Sequence, residues 1–199
     1  MTKERLKSPR AKLFVALDLP DPARAAIDVW GARELADPAL RRVAPQSLHI
    51  TLAFLGWRPE KEIPRLAEIV AESVAPAPSL AFGQPVGRPE RGRARLFALS
   101  VESPAAVTLQ AGVEERLVAA GLYEPEKRPF WPHVTVARVK REERGSKRPA
   151  RVSKPPGALS KELLRPFDAV RITLYRSELQ PWGAQYAPLA QVELPGGRQ

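Results

Sequence analysis

One pattern occurs twice in this chain, and it limits the fold more than anything else in the sequence. The stretches KLFVALDL at 12–19 and RLFALSVE at 95–102 both read as apolar strands. Each is followed by a helical segment and then by a strand carrying H-x-T. Those strands are SLHITLAFLG at 47–56 and PHVTVARV at 132–139, and they hold the chain's only two histidines, His49 and His133. Leu13 precedes His49 by 36 residues, and Leu96 precedes His133 by 37. Two strand–helix–H-x-T-strand units imply two similar lobes related by a pseudo-two-fold axis.

The first helix is expected from Asp21-Pro22, with Asp21 as N-cap and proline at the first helical position, to about Ala36. The second starts at Ser103-Pro104 and ends near Gly121, a residue suited to a helix C-terminus. Residues 59–74 have Ile63, Leu66, Ile69 and Val70 at helical spacing. Strands are expected at 79–86, 169–175 and 185–194, and a short helix at Ser160–Leu164. Residues 87–94 form a basic, turn-rich loop. Residues 140–154 carry seven Lys/Arg against two Glu, which reads as a mobile basic loop (140–156) with no core of its own. The fold class is therefore α+β: one domain over 1–199, bilobal, with two largely antiparallel sheets flanked by helices and the active cleft between lobes. Lobe 1 is placed at roughly 12–90 and lobe 2 at roughly 91–190.

Composition removes several chemistries. The chain of 199 residues has no cysteine, which excludes disulfides, thiol nucleophiles and Cys-ligated metal, and two histidines exclude a three-histidine zinc site. No metal and no cofactor is expected. No apolar run approaches the ~20 residues that span a bilayer. The charged N-terminus, with its apolar stretch broken at Asp18, is too short for a signal-peptide core, so a cytoplasmic protein without a membrane partner is expected. A net charge of +10 favours a polyanionic partner, nucleic acid first. A monomer is the default.

Alternation in a strand puts His49 and Thr51 on one face, with Ile50, Leu52 and Phe54 on the other. Likewise His133 and Thr135 share a face, with Val134 and Val136 behind. Only five threonines occur, so both histidines meeting Thr at i+2 is roughly a one-in-1,600 event in a shuffled chain. Two imidazoles flanking one site suit phosphodiester chemistry. One, neutral, takes a proton from the attacking oxygen; the other, protonated, gives one to the leaving oxygen. Threonine hydroxyls can donate to the non-bridging oxygens, where charge concentrates. The two strands are too alike to assign acid and base.

The paired motifs with their flanks, LFVALDLP, SLHITLAFLG, FWPHVTVARV and SELQPWGAQY, resemble the 2H phosphoesterase superfamily. Within it the chain is similar to the RNA 2′,3′-cyclic phosphodiesterases, also called 2′-5′ RNA ligases. The resemblance covers most of residues 12–190. It implies a bilobal α+β fold and metal-independent hydrolysis of an RNA 2′,3′-cyclic phosphate end to a 2′-phosphate, with 2′-5′ ligation as a related activity. It further implies His49 as general acid, His133 as general base, and Thr51 and Thr135 as phosphate ligands. Arg138 matches a family arginine after the second motif, although simple alternation puts it opposite His133 unless the strand bulges or ends. Relatives often carry a basic residue where Trp131 stands. Phe130 or Trp131 could stack on a base, or be core aromatics. Tyr186 matches a family position and reads as packing. The arginines at 88, 91, 93 and 95, and the Lys/Arg of 140–154, would contact RNA phosphates if they flank the cleft. Two other readings stand: a non-catalytic RNA- or nucleotide-binding module, and a phosphodiesterase for a small cyclic nucleotide.

Overall fold

The computed structural model describes residues 9–180 and 183–196. The two residues Pro181 and Trp182, inside the expected SELQPWGAQY match, lie outside the described residues. The elements in chain order are β1 (Arg10–Asp18), α1 (Asp21–Glu34), β2 (Leu40–Arg42), β3 (His49–Pro59), α2 (Ile63–Glu72), β4 (Ser79–Arg88), β5 (Leu96–Glu102), α3 (Pro104–Ala119), β6 (His133–Val139), β7 (Phe167–Asp168), β8 (Arg171–Gln180) and β9 (Gly183–Glu193).

Local chemistry accounts for the ends of the helices. At α3 the Ser103 hydroxyl accepts from the Ala106 amide at 3.0 Å, satisfying a donor that the helix itself cannot. Beyond its C-terminus Gly121 takes φ +67°. At α1 the cap is Pro20 rather than Asp21, and Asp21 sits inside the first turn, where its charge suits the helix N-terminus. The Ser160–Leu164 segment makes turns rather than a helix.

The strands are antiparallel and run in the order β7-β4-β5-β6-β3-β1-β8-β9, with β2 pairing β6 off this path. That order is a palindrome of roles. The H-x-T strands β6 and β3 meet in the middle, the LF strands β5 and β1 flank them, and β4 and β8 come next. The two repeat units exchange their last strands: β4 pairs with β5 of the second unit, and β8 pairs with β1 of the first. The division at residue 90 therefore separates the repeats in sequence but not the two halves of the sheet. Chain order alone assigns β4 to the first lobe and β8–β9 to the second, because contiguity carries no record of which strand each one hydrogen-bonds.

The two H-x-T strands, β3 and β6, join through a single register pair, Ile50↔Val134. Beyond it β3 and β6 diverge, and the later half of β6 pairs instead with β2. One face of the sheet is covered by all three helices. Leu13, Val15 and Leu17 of β1, Ile50 of β3 and Val134 of β6 share a core with Trp30, Leu66, Ile69, Val113 and Leu117 from the helices. The other face carries the cleft.

The 140–156 segment is held more closely than its composition implies. Arg141 bridges Pro149, the Asp37 carboxylate accepts from the Ser153 and Lys154 amides at 2.7 and 2.8 Å, and Val152 packs against the core. The anchors come from distant residues, Asp37 above all, which composition within the loop does not reveal.

Candidate active site

The Ile50↔Val134 pair determines the geometry of the site. Both side chains are fully buried on the helical face. Their neighbours on each strand therefore point the other way, and antiparallel register sets His49 across from Thr135 and Thr51 across from His133. The two histidines therefore lie on one diagonal of this crossing and the two threonines on the other. All four line one cleft of about 980 Å³, together with Ser47, Phe14, Phe54, Arg41, Arg138 and Tyr186.

Each histidine is oriented in the same way. His49 Nδ1 donates to the Ser47 carbonyl at 2.8 Å, and His133 Nδ1 donates to the Trp131 carbonyl at 2.8 Å. A carbonyl only accepts, so the proton sits on Nδ1 and Nε2 is the reactive nitrogen in both rings. His49 Nε2 lies 3.2 Å from Thr51 Oγ1. His49 is walled by Phe14 (ring centroids 4.9 Å) and by Tyr186, set at right angles to it (5.3 Å). His133 is stacked on Trp131 at 4.1 Å, and the Arg88 guanidinium lies 4.3 Å from that indole.

Burial pushes the His49 imidazole down to about 4. The Ser47 carbonyl and Asp18 pull it upward; the positive charges of His133 and Arg24 add to the fall. His133 is lowered too, first by burial, then by Arg88 and Arg138 and against the Trp131 carbonyl. Guanidinium charge acts on both rings, from Arg24 at His49 and from Arg88 and Arg138 at His133; His49 alone also feels a carboxylate, Asp18.

Sequence reasoning missed that carboxylate as part of the site. Asp18 is 1% exposed and pairs with His49 across β1 and β3. It accepts from Thr173 Oγ1 and Tyr175 Oη, both at 2.9 Å, and from Arg171 Nε at 3.0 Å, with Arg24 3.8 Å away. Its equivalent beside His133 is Ser100. The only signal in the sequence is an acid breaking an apolar strand.

One cause sets the direction of both Phe54 and Arg138. Simple alternation puts Phe54 behind His49 and Arg138 behind His133. Each strand, however, carries a β-bulge just after its motif: Thr51 and Ala53 pair with consecutive residues of β1, skipping Leu52, and Thr135 and Ala137 pair with consecutive residues of β5, skipping Val136. A bulge turns over the side chains that follow it, up to any further bulge. Phe54, 48% exposed, and Arg138 consequently both face the cleft, at equivalent positions of the two repeats. Phe130 packs against the core, and Trp131 is stacked on His133, itself a cleft residue. Trp131 is taken up by His133 and Arg88. Tyr186 packs, as expected, but does so within the cleft wall.

The 2′-5′ RNA ligase superfamily model matches residues 19–180, a span that contains both H-x-T strands. The chain belongs to that superfamily. Two of its relatives match over most of both chains. An RNA 2′,3′-cyclic phosphodiesterase of Thermus thermophilus is 34% identical over 93% of this chain and 91% of its own. The Escherichia coli protein of the same name is 28% identical over 89% and 93%. Among solved structures, a Thermus thermophilus chain superposes with TM-score 0.72 at 31% identity, covering 93% of this chain and 98% of that one. Escherichia coli LigT complexed with 3′-AMP superposes with TM-score 0.71 at 25% identity, covering 94% and 99%.

Proposed function

We propose that this protein hydrolyses the 2′,3′-cyclic phosphate at the end of an RNA, leaving a 2′-phosphate. His133 Nε2, neutral, takes the proton of a water that attacks phosphorus. The P–O3′ bond breaks, and His49 Nε2, protonated, donates to the departing 3′ oxygen. One water is consumed, and the products are a 2′-monophosphate and a 3′-hydroxyl. Thr51, Thr135 and Arg138 stabilise the charge on the non-bridging oxygens. The exposed Phe54 ring offers a face to the terminal base. With a 5′-hydroxyl in place of water, the same groups would form a 2′-5′ linkage.

The observation that carries the reading is the cross-strand square of two Nε2-presenting histidines and two threonines in one cleft. The assignment of acid and base follows the superfamily resemblance; Asp18, which partly offsets burial and Arg24 at His49 and is absent from the groups acting on His133, agrees with it. The superfamily relatives named RNA 2′,3′-cyclic phosphodiesterase support the substrate class. Among the described residues no helix is long and apolar enough to cross a membrane. The enzyme of this reading works as a monomer in the cytoplasm.

The test is product identification. Purified protein in EDTA is given a short RNA ending in a 2′,3′-cyclic phosphate. A 2′-phosphate terminus is the expected product. A 3′-phosphate would reverse the regiochemistry, and tight binding without turnover would favour a binding module.

A further inference from the structure

A terminal cyclic phosphate leaves the rest of an RNA only one direction to run, 5′-ward, so any longer substrate must leave the cleft along one flank. The two flanks differ in charge. At the Arg10 end the cleft holds Glu60 and Glu178 among its cations; Glu60 pairs with Arg176 at 3.0 Å, Arg10 is spent on the Trp57 carbonyl, and Lys12 lies over the Phe54 ring at 5.3 Å. At the Arg138 end the cleft continues into two recesses. One is lined by Arg41, Arg95, Arg138, Val139, Lys140 and Arg141, the next by Arg95, Val139, Lys140, Arg141, Lys147 and Pro149. Among the described residues no acid lines either recess.

These cations are exposed, and among the described residues Arg41, Arg95, Arg138, Lys140, Arg141 and Lys147 form no ion pair. The nearby Glu142 is neutralised by Arg93 at 2.7 Å and Arg148 at 3.5 Å, which also ties the two basic loops together. Arg41 and Arg138 are direct cross-strand partners. Like charges so placed repel, and an anion between them would relieve the repulsion.

Resting on the phosphodiesterase reading, we infer that this flank is a phosphate track for the nucleotides 5′ of the cyclic end, so that the enzyme is built for oligonucleotides rather than mononucleotides. Arg41 and Arg138 span from the reacting phosphate to the first backbone phosphates, and Arg95, Arg141 and Lys147 hold those further out. Such contacts are sequence-independent and weaken with salt.

The experiment compares kcat/KM for a mononucleoside 2′,3′-cyclic phosphate and a hexanucleotide with the same end, across a KCl series. It uses the wild type and an Arg141→Gln, Lys147→Gln double variant, both residues outside the catalytic cleft. The variant is expected to lose about tenfold on the hexanucleotide and less than twofold on the mononucleoside, and its hexanucleotide salt slope should shallow by roughly 0.7 per charge removed. Equal losses on both substrates, or an unchanged hexanucleotide rate and slope, would overturn the track while leaving the phosphodiesterase reading intact. If the wild type turned over neither substrate, that reading would fall. Fluorescence anisotropy with the same hexanucleotide would still read the track, and an unchanged Kd in the variant would overturn it.

Discussion

At the scale of single residues, burial holds both imidazoles below their ordinary pKa, so His49 must gain its proton as substrate binds. His49 has a folded pKa of about 4 against an ordinary value near 6.5. Between those values the unfolded chain binds more protons, so this group's stabilisation is full at neutral pH and is lost as pH falls from 6.5 towards 4. The loss amounts to about 2–3 kcal/mol at pH 4.5. Urea midpoints at pH 7.5 and 4.5 should therefore separate less in His49→Gln than in wild type; an equal separation would contradict the burial argument. A bound phosphate adds negative charge beside both rings, which favours their protonated forms. The basic limb of kcat should then lie at higher pH than that of kcat/KM. Asp18→Asn removes the one carboxylate that supports a charged His49. It should move the basic limb of kcat/KM to lower pH and cut the rate at neutral pH about tenfold; a variant with an unshifted limb would remove Asp18 from the mechanism. The histidines and threonines are legible in sequence because H-x-T occurs twice. Asp18 is not, because its three hydrogen-bond partners lie 153 to 157 residues away.

At the scale of elements, the bulges matter most. Strand periodicity places His49, Thr51, His133 and Thr135 correctly, because the period is unbroken from the histidine to the threonine. It fails one step later, at Leu52 and Val136, since a bulge is decided by the partner strand and leaves no mark in the alternation. The same limit hides β2 and β7, which are three and two residues long and exist only through pairing with β6 and β4. If the bulge aims Arg138, two changes should act alike. Arg138→Ala should lower kcat/KM by roughly 10–100-fold, the range of a hydrogen bond to a charged group. Deleting Val136, which closes the bulge and turns Arg138 away, should give a comparable loss in protein that still melts cooperatively. Retention of the wild-type rate in the deletion would show that the bulge does not position the arginine.

At the scale of the whole molecule, the repeat is readable from sequence but the exchange of last strands is not. The α+β class and the two-fold pattern follow from the order of apolar strands and helices. Which sheet half receives β4 and β8 depends on tertiary pairing alone. Fragments 1–90 and 91–199 should each lack a neighbour for an LF strand, and so fail to unfold cooperatively alone yet regain structure when mixed. Circular dichroism melts of each fragment and of the mixture would show this; a cooperative transition in fragment 1–90 by itself would contradict the exchange. The exchange also makes the cleft a property of both repeats at once, because β3 and β6 meet through a single pair and each supplies half of the site.

The central claim is that His49 and His133 act on one phosphate as a unit. The most direct measurement is kcat/KM for His49→Ala, His133→Ala and the double variant on a 2′,3′-cyclic phosphate RNA. Each single change should cost about 10²–10⁴-fold. The double variant should be far less impaired than the product of the two losses, as for residues that work together. A single variant that keeps the wild-type rate, or two losses that multiply in full, would mean that the histidines do not share a transition state.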